Sequence, residues 1–228
     1  MLEFIQKYSL DDFYTIGIHQ YPDILAKVCA TQPSDFGLPP DEERGLPGEA
    51  RYMESGWSKK MMGRYIAAGV LCKNTSLLEL CSGLGWGAYI LSHIASEVTC
   101  LELDENIRKR AEQFWQKDNI TWQHGNALHC DTLFAEGQFS AVTFMEAIEH
   151  FTRDDGFTML KKIQHILKDD GVLIASSYFP ASRGEADRCC AKNKHHLYIF
   201  TEQEIMACCK VLFRSFQIVD RKLLVAVK

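Results

Sequence analysis

The alternation of two kinds of segment from residue 76 to residue 179 constrains the fold most. Short runs that are apolar throughout, such as SLLELC (76–81), EVTCLEL (97–103) and GVLIASSYF (171–179), are typical of fully buried strands. Between them, ENIRKRAEQFWQ and GFTMLKKIQHILKD place apolar residues at helical spacing. Buried strands that alternate with amphipathic helices indicate a parallel sheet covered on both faces. The predicted fold class is therefore α/β.

The rest of the chain fits one such domain with an extension. A chain of 228 residues with 46% hydrophobic residues can bury one core of ordinary size. Residues 32–50 contain four of the six prolines and predict an irregular segment that separates a helical stretch from the body. We expect a helical extension or lid at residues 1–60 and the main domain at residues 61–228. The tail predicts a helix, TEQEIMACCKVLF, and two strands, SFQIVD and LLVAVK.

Net charge, cysteine content and the N-terminal sequence bear on the partners and the cellular location of the protein. The net charge of -5, without a dense block of Lys or Arg, predicts no nucleic-acid or anionic membrane partner. Nine scattered cysteines without a C-x-x-C pair favour a reducing, cytoplasmic location. The acidic N-terminus does not resemble a signal peptide, and no apolar run reaches the roughly 18 residues of a membrane span.

The stretch LLELCSGLGWGAYI (77–90) predicts a ligand-binding loop at the end of the first strand. Glycines let the backbone turn sharply and approach a ligand closely, and open α/β sheets bind ligands at the carboxyl ends of their strands. Gly83 to Ala88 satisfies the dinucleotide pattern G-x-G-x-x-G/A, with Glu102 available for ribose hydroxyls. Glu79, inside the first strand, instead favours a ligand that carries an ammonium group.

This loop resembles motif I of the class I S-adenosylmethionine-dependent methyltransferases, which reads acidic residue, x, Gly, x, Gly, x, Gly. Here Cys81 stands where the first glycine normally lies, a change that we expect the loop to accept if Cys81 has a negative φ. The resemblance continues in VTCLELDE, GNAL, FSAVTFMEAIEHF and LKDDGVLIAS. It implies these cofactor-binding residues: Glu79, Cys81, Ser82, Gly83, Gly85, Glu102, Leu103, Asn126, Ala127, Met145 and Glu146.

The resemblance also implies a detailed fold and a cofactor. It implies a Rossmann-like, seven-stranded, mostly parallel sheet whose antiparallel last strand is inserted between its neighbours. The implied cofactor is S-adenosylmethionine, with S-adenosylhomocysteine as the product. A metal-assisted mechanism would need ligands just after the fourth and fifth strands; Glu146 follows the fourth, but the fifth continues into Ser176, Ser177 and Tyr178. We therefore expect no metal.

A narrower resemblance bears on the acceptor. PGEARYMES (47–55), GRYIAA (63–68) and NKHHLYIFTEQEI (193–205) are similar to segments of methyltransferases linked to glycan and capsule synthesis. This implies a small-molecule hydroxyl acceptor, such as a sugar or nucleotide sugar. An alcohol must lose a proton, and a histidine near neutral pKa suits that task. His150 and His196 are the candidate catalytic residues, with His195 as a third.

The N-terminal part of the chain adds a candidate lid. The lid would contain Arg51, Tyr52, Trp57 and Tyr65, which would exclude water from the site.

Three alternative functions stay open: an NAD(P)-binding oxidoreductase, a non-catalytic methyltransferase-like partner subunit, and a nucleic-acid methyltransferase. Glu79 disfavours the first, the retained Glu102 and glycines disfavour the second, and the missing Asn/Asp-Pro-Pro-Tyr/Phe loop disfavours the third. The sequence predicts neither the acceptor atom nor the oligomeric state.

Overall fold

A computed structural model describes residues 1–39 and 45–228, so part of the irregular segment expected at 32–50 lies outside the described residues. The strands β1 to β7 within these ranges are Ser76–Leu80, Glu97–Glu102, Ile120–His124, Phe139–Met145, Leu167–Ser176, Ser215–Val219 and Leu223–Val227. The α-helices α1 to α11 are Leu2–Ile5, Leu10–Gln20, Pro22–Ala30, Ala50–Glu54, Trp57–Leu71, Trp86–Leu91, Glu105–Phe114, Cys130–Leu133, Arg153–Ile166, Arg183–Lys192 and Glu202–Leu212. Three short 3-10 helices are Pro33–Phe36, Ala127–His129 and Ile148–His150.

The described strands form one seven-stranded sheet in the order β3-β2-β1-β4-β5-β7-β6. β1, β2 and β3 pair in parallel, and so do β4 and β5. β7 is antiparallel to both β5 and β6, between which it is inserted. The predicted Rossmann-like sheet and the N-terminal helices are therefore confirmed.

The chain forms two compact units, the first of which comprises Glu3–Gly125. It contains β1 to β3, and its helix α5 is buried along most of its length. α5 packs closely on α2: a Cβ at Gly63 would lie 2.3 Å from the carbonyl oxygen of Leu10. Ser9 caps α2 by accepting a hydrogen bond from the Asp12 amide, so that a short helix still begins sharply. These contacts hold the N-terminal helices against the body of the unit.

The second unit comprises Asn126–Lys228 and contains β4 to β7. Its central strands consist almost entirely of buried residues, as in LLVAV of β7. β5 begins at Leu167, earlier than the predicted 171, because Leu167 pairs with Phe139 across an irregularity in the β4 register. Asp170, with φ 62°, lies in the left-handed region before the strand continues. The sequence KDDG therefore lies inside an irregular strand.

Two further features agree with the sequence. All nine cysteines fall within the described residues, and each is a free thiol. None of the described helices combines the length and the hydropathy that a membrane crossing requires. The division into an extension at 1–60 and a main domain at 61–228 stays a prediction.

Candidate functional site

The loop after β1 adopts left-handed backbone at three alternate positions. Cys81 has φ 57°, Gly83 has φ 53° and Gly85 has φ 74°. The condition of a negative φ at Cys81 is not met, because this residue adopts the left-handed backbone that glycine favours. An L-residue there costs about 1–2 kcal/mol, since its Cβ crowds the following carbonyl oxygen. Gly85 has a second reason to lack a side chain: a Cβ would lie 2.3 Å from the Trp122 ring.

Glu79 is a buried carboxyl with one oxygen still available. Its side chain is 1% exposed, and Oε1 accepts a hydrogen bond from the Tyr65 hydroxyl at 2.8 Å. Oε2 has no hydrogen-bond partner in the described part of the chain. Burial raises the pKa of Glu79 to about 8, against the opposing effect of the Tyr65 hydrogen bond and with a further rise from the charge of Glu102. A cation beside Oε2 would stabilise the ionised form.

Glu102 ends β2 and holds the loop by its carboxylate. Oε2 accepts the Gly83 amide proton at 2.8 Å, and Oε1 accepts that of Asp104 at 3.0 Å. The residue is 8% exposed, whereas the next side chain, Leu103, is 62% exposed. Leu103 is therefore an exposed apolar side chain next to the Glu102 carboxylate. A nucleoside would fit this pair, with its ribose hydroxyls on Glu102 and its base against Leu103.

Tyr65 was expected in a lid, and the structure places it directly against β1 and α6. Its ring lies 4.7 Å from the Trp86 ring, edge to face, and a Cβ at Gly87 would lie 2.1 Å from its Cζ. Helix α5 thus supplies a hydrogen-bond donor to the strand carboxyl Glu79. The sequence shows GRYIAA as a motif but gives no sign of this partner.

The other three lid candidates form a small cluster of their own. The Arg51 guanidinium lies over the Tyr52 ring at 4.4 Å, and the Tyr52 and Trp57 rings are 4.3 Å apart. Arg51 also pairs with the buried Glu49 at 3.0 Å. Their role as a lid stays a prediction.

In the second unit, the sequence-predicted cofactor residues lie at the end of a strand or in the turns that follow strands. The Asn126 side-chain oxygen accepts the Leu128 amide proton at 2.9 Å and so begins the 3-10 helix in which Ala127 is buried. Met145 is the buried end of β4. Glu146 follows in a left-handed conformation, φ 47°, and its Oε1 accepts the Ser176 hydroxyl proton at 2.9 Å. β5 therefore holds Glu146 in place.

The structure brings the two candidate catalytic histidines together. The rings of His150 and His196 lie 5.2 Å apart and nearly perpendicular. Nδ1 of His150 is 3.1 Å from the carbonyl oxygen of His195. A carbonyl can only accept, so Nδ1 carries the proton and Nε2 of His150 keeps its lone pair. His150 is thus set in the tautomer that a base or a metal ligand requires.

Two residues that sequence reasoning missed complete this cluster. Glu149 is 4% exposed, and its carbonyl oxygen accepts the amide protons of Leu197 at 2.8 Å and Tyr198 at 3.3 Å. The Asn193 amide nitrogen lies 3.0 Å from Nε2 of His196. These bonds pin the loop before α11 to the 3-10 turn after β4. The EAIEH string was visible in the sequence, but its pairing with the NKHH segment was not.

Comparisons with known proteins agree with the fold and the loop. Residues 78–175 match the family model described as a methyltransferase domain. No curated protein matches the chain significantly. The YcgJ protein of Bacillus subtilis is similar in structure, with a TM-score of 0.61 and 16% identity over 68% of this chain and 69% of that one.

Two further solved structures are similar to this chain. A chain of the Haloferax volcanii complex between the Trm112 methyltransferase activator and a methyltransferase has a TM-score of 0.62 and 14% identity, over 83% of this chain and 98% of its own. Magnesium protoporphyrin IX methyltransferase of Synechocystis PCC 6803, solved with bound S-adenosylhomocysteine, has a TM-score of 0.56 and 16% identity, over 72% of this chain and 78% of its own.

The residues present also fit the cofactor that these matches imply. The buried, partly unpaired Glu79 suits an ammonium group, and Glu102 beside the exposed Leu103 suits a nucleoside. Among the described residues, no atom beyond the chain neighbours lies within 4 Å of a Cβ built at Gly83, so the backbone there is open to a ligand. Residues 78–175 therefore match a methyltransferase domain, and the chain has the Rossmann-like fold of class I methyltransferases.

Proposed function

We propose that the protein transfers the methyl group of S-adenosylmethionine to a hydroxyl oxygen of a small polar molecule, with a sugar or nucleotide sugar as the acceptor class. The observation that carries the proposal is the orientation of His150. Its Nδ1 donates to the His195 carbonyl, an orientation in which Nε2 is the ring nitrogen that would accept a proton. An amine acceptor that is already neutral would not require such a base.

Each cofactor-binding residue has a role that follows from its surroundings. Glu79 pairs with the ammonium group of the cofactor through Oε2, and Glu102 accepts hydrogen bonds from the ribose hydroxyls with its remaining lone pairs. We assign Leu103 and Ala127 to contacts with the adenine, as the resemblance implies. The remaining members shape the backbone around the cofactor: Cys81, Ser82, Gly83, Gly85, Asn126, Met145 and Glu146.

The bound cofactor supplies a methyl carbon on a sulfonium sulfur, which leaves as the neutral thioether S-adenosylhomocysteine. The acceptor oxygen would take the methyl group in place of the sulfur, and Nε2 of His150 would accept the hydroxyl proton and release it to solvent. His196, perpendicular to His150 at 5.2 Å, shapes the site and orients the hydroxyl. Most of the acceleration comes from alignment of the oxygen with the methyl carbon.

The acceptor class rests on the narrower resemblance. PGEARYMES, GRYIAA and NKHHLYIFTEQEI are similar to segments of glycan- and capsule-associated methyltransferases. Two of these segments contribute to the geometry above: Tyr65 of GRYIAA donates to Glu79, and NKHH provides Asn193 and His196. The resemblance therefore includes residues that take part in the contacts described above.

Transfer of labelled methyl from S-adenosylmethionine to a panel of sugars, nucleotide sugars, amines and carboxylic acids tests the proposal. We expect an ether product, which resists alkaline hydrolysis, whereas a carboxyl ester would release methanol. His150→Gln should lower kcat by about 10²–10⁴, since a general base contributes that much, with little change in the Kd of the cofactor. His165→Gln, on a half-exposed histidine of α9, is the control.

Three results would contradict the proposal. Exclusive methylation of amines or carboxylates would remove the hydroxyl acceptor. An unchanged kcat in His150→Gln would show that His150 is not the general base. Cofactor binding without transfer to any member of a broad panel would favour a non-catalytic partner subunit.

A further inference from the structure

The cluster at the turn after β4 has the composition of a metal site. Glu149, His150 and His196 each offer one ligand atom, and these atoms lie within 4.8 Å of one another. Glu149 is buried and the two histidines are half-buried, so one carboxylate oxygen and two imidazole nitrogens lie close together. We propose that Glu149, His150 and His196 bind a divalent first-row transition-metal ion.

The distances fit an ion of this kind. Bonds from zinc to imidazole nitrogen and carboxylate oxygen are about 2.0–2.2 Å long, so ligand atoms around one ion are separated by about 3–4 Å. Atoms that lie within 4.8 Å of one another reach this spacing by small side-chain rotations.

The surroundings of the ligands are those of a preorganised metal site. A metal-binding histidine usually donates its other ring proton to a carbonyl or carboxylate, as Nδ1 of His150 does to the His195 carbonyl. His150 would therefore bind the ion through Nε2. The backbone bonds from Leu197 and Tyr198 to the Glu149 carbonyl hold the late loop, and with it His196, beside the turn.

Asn193 contacts His196, the third of the proposed ligands. Its side-chain oxygen accepts the His195 amide proton at 2.9 Å, so its NH₂ group faces Nε2 of His196 at 3.0 Å. The other ring nitrogen, Nδ1, is buried and is the one we assign to the ion. Binding through Nδ1 places the ring proton on Nε2, where an oxygen would be a better partner than NH₂. An aspartate at 193 would supply that oxygen.

Two imidazoles and one carboxylate select zinc, cobalt, iron or manganese over calcium or magnesium. Three protein ligands also leave coordination positions open, as in catalytic rather than structural sites. Resting on the proposed function, the ion would hold the acceptor oxygen and lower the pKa of its hydroxyl. The histidines would then act as ligands, so that Nε2 of His150 would no longer serve as the base described under the proposed function, and the hydroxyl proton would pass to solvent.

This inference departs from the expectation of a metal-free site. That expectation considered ligands at the ends of β4 and β5, where Glu146 is bonded to Ser176. The cluster proposed here lies three residues further on and takes its third ligand from the loop before α11. Only the folded chain brings these two segments together.

Titration of the metal-stripped protein with Co²⁺ alone tests the site, because the visible absorption of cobalt reports its ligands. We expect one Co²⁺ per chain, displaced by Zn²⁺. Glu149→Gln and His150→Gln should each weaken binding at least about tenfold, and Asn193→Asp should strengthen it. His165→Gln should bind as the wild type does.

Circular dichroism of each variant identifies any that fail to fold, and His196→Gln provides a second ligand variant. The proposal is overturned if the wild type binds Co²⁺ no more tightly than the folded ligand variants. It is also overturned if the bound cobalt lacks absorption bands typical of nitrogen ligands.

The titration needs no acceptor, so its outcome is independent of the proposed function. Where an acceptor is known, chelation should lower kcat while the Kd of S-adenosylmethionine stays unchanged, and added Zn²⁺ or Mn²⁺ should restore kcat. Metal binding without methyl transfer would leave the site in place and reject the proposed function. Methyl transfer that chelators do not affect would reject the role of the ion in the reaction.

Discussion

At the scale of single residues, Cys81 occupies a position in the loop after β1 where the family motif has glycine, and it adopts the left-handed backbone that glycine favours. Its φ of 57° lies in the left-handed region, which glycine enters without cost. The fold therefore imposes this backbone on the residue, and the neighbouring Gly83 and Gly85 have the same sign of φ. The loop after β1 therefore adopts this backbone at the expense of stability.

Replacement of Cys81 by glycine is expected to stabilise the protein. Cys81→Gly relieves the crowding of Cβ and should raise the free energy of unfolding by about 1 kcal/mol, although glycine also gains entropy in the unfolded chain. Cys81→Ala keeps a Cβ in the left-handed region and is the matched control. Urea unfolding of the three proteins measures the difference; equal stability of the Gly and Ala variants would show that the backbone is not strained.

The buried carboxyl of Glu79 predicts a pH dependence of stability. Its pKa is about 8 in the folded chain, against an ordinary value of 4.5. Between these values the folded chain binds more protons than the unfolded chain, so stability falls as pH rises through this window and levels off above about pH 8. Glu79→Gln, which resembles the protonated form, should lose this slope. Urea unfolding from about pH 5 to about pH 8 compares the two proteins.

The same group predicts proton release when the cofactor binds. The ammonium group of S-adenosylmethionine would lower the pKa of Glu79 and expel its proton near pH 7. Calorimetric titrations in buffers of different ionisation enthalpy measure this proton, which Glu79→Gln should abolish. Equal proton release in the wild type and the variant would assign the proton to another group and remove the proposed role of Glu79.

At the scale of elements, the contact between α5 and α6 positions the Glu79 hydrogen bond. The ring of Tyr65 fills the space over Gly87, in the first turn of α6, and its hydroxyl continues to Glu79. The hydrogen bond from Tyr65 to Glu79 therefore requires a small residue at position 87. Tyr65, from the N-terminal part of the chain, is a structural neighbour of the cofactor loop.

Gly87→Ala is expected to be destabilising, by about 1–3 kcal/mol, because its Cβ would lie 2.1 Å from the Tyr65 ring. Gly184→Ala is the matched control in helix α10, where a Cβ would meet only the Arg188 guanidinium at 3.7 Å. Alanine should there be neutral or stabilising, since it favours helix. Thermal unfolding of both variants tests this; an equal shift in the two would contradict the packing described.

The elements also show where the sequence was informative. The buried strands were predicted because SLLEL, EVTCLE and FSAVTFM are apolar and end in turns. Helix α10 was missed because Ala186 is its only buried residue, which leaves no apolar stripe. The capping pair of Ser182 and Glu185 was the available indication, since the Ser182 side chain accepts the Glu185 amide proton.

At the scale of the whole molecule, the predictability of the site depends on how far apart its residues lie in the chain. Glu79 and Glu102 were predicted together, because both belong to consecutive strands of a motif with regular spacing. The contact of Glu149 and His150 with His196 was not, because it depends on where a late loop returns. Resemblance gave the order of the strands, which periodicity alone does not.

The most direct test of the account is a calorimetric titration with S-adenosylmethionine, S-adenosylhomocysteine and NAD. We expect the first two to bind and NAD to show no binding. Glu102→Ala and Glu102→Gln should weaken binding at least about tenfold, about 1.4 kcal/mol. Glu97→Ala, at the exposed start of the same strand, should not. Binding of NAD alone, or unchanged S-adenosylmethionine affinity in both Glu102 variants, would contradict the account.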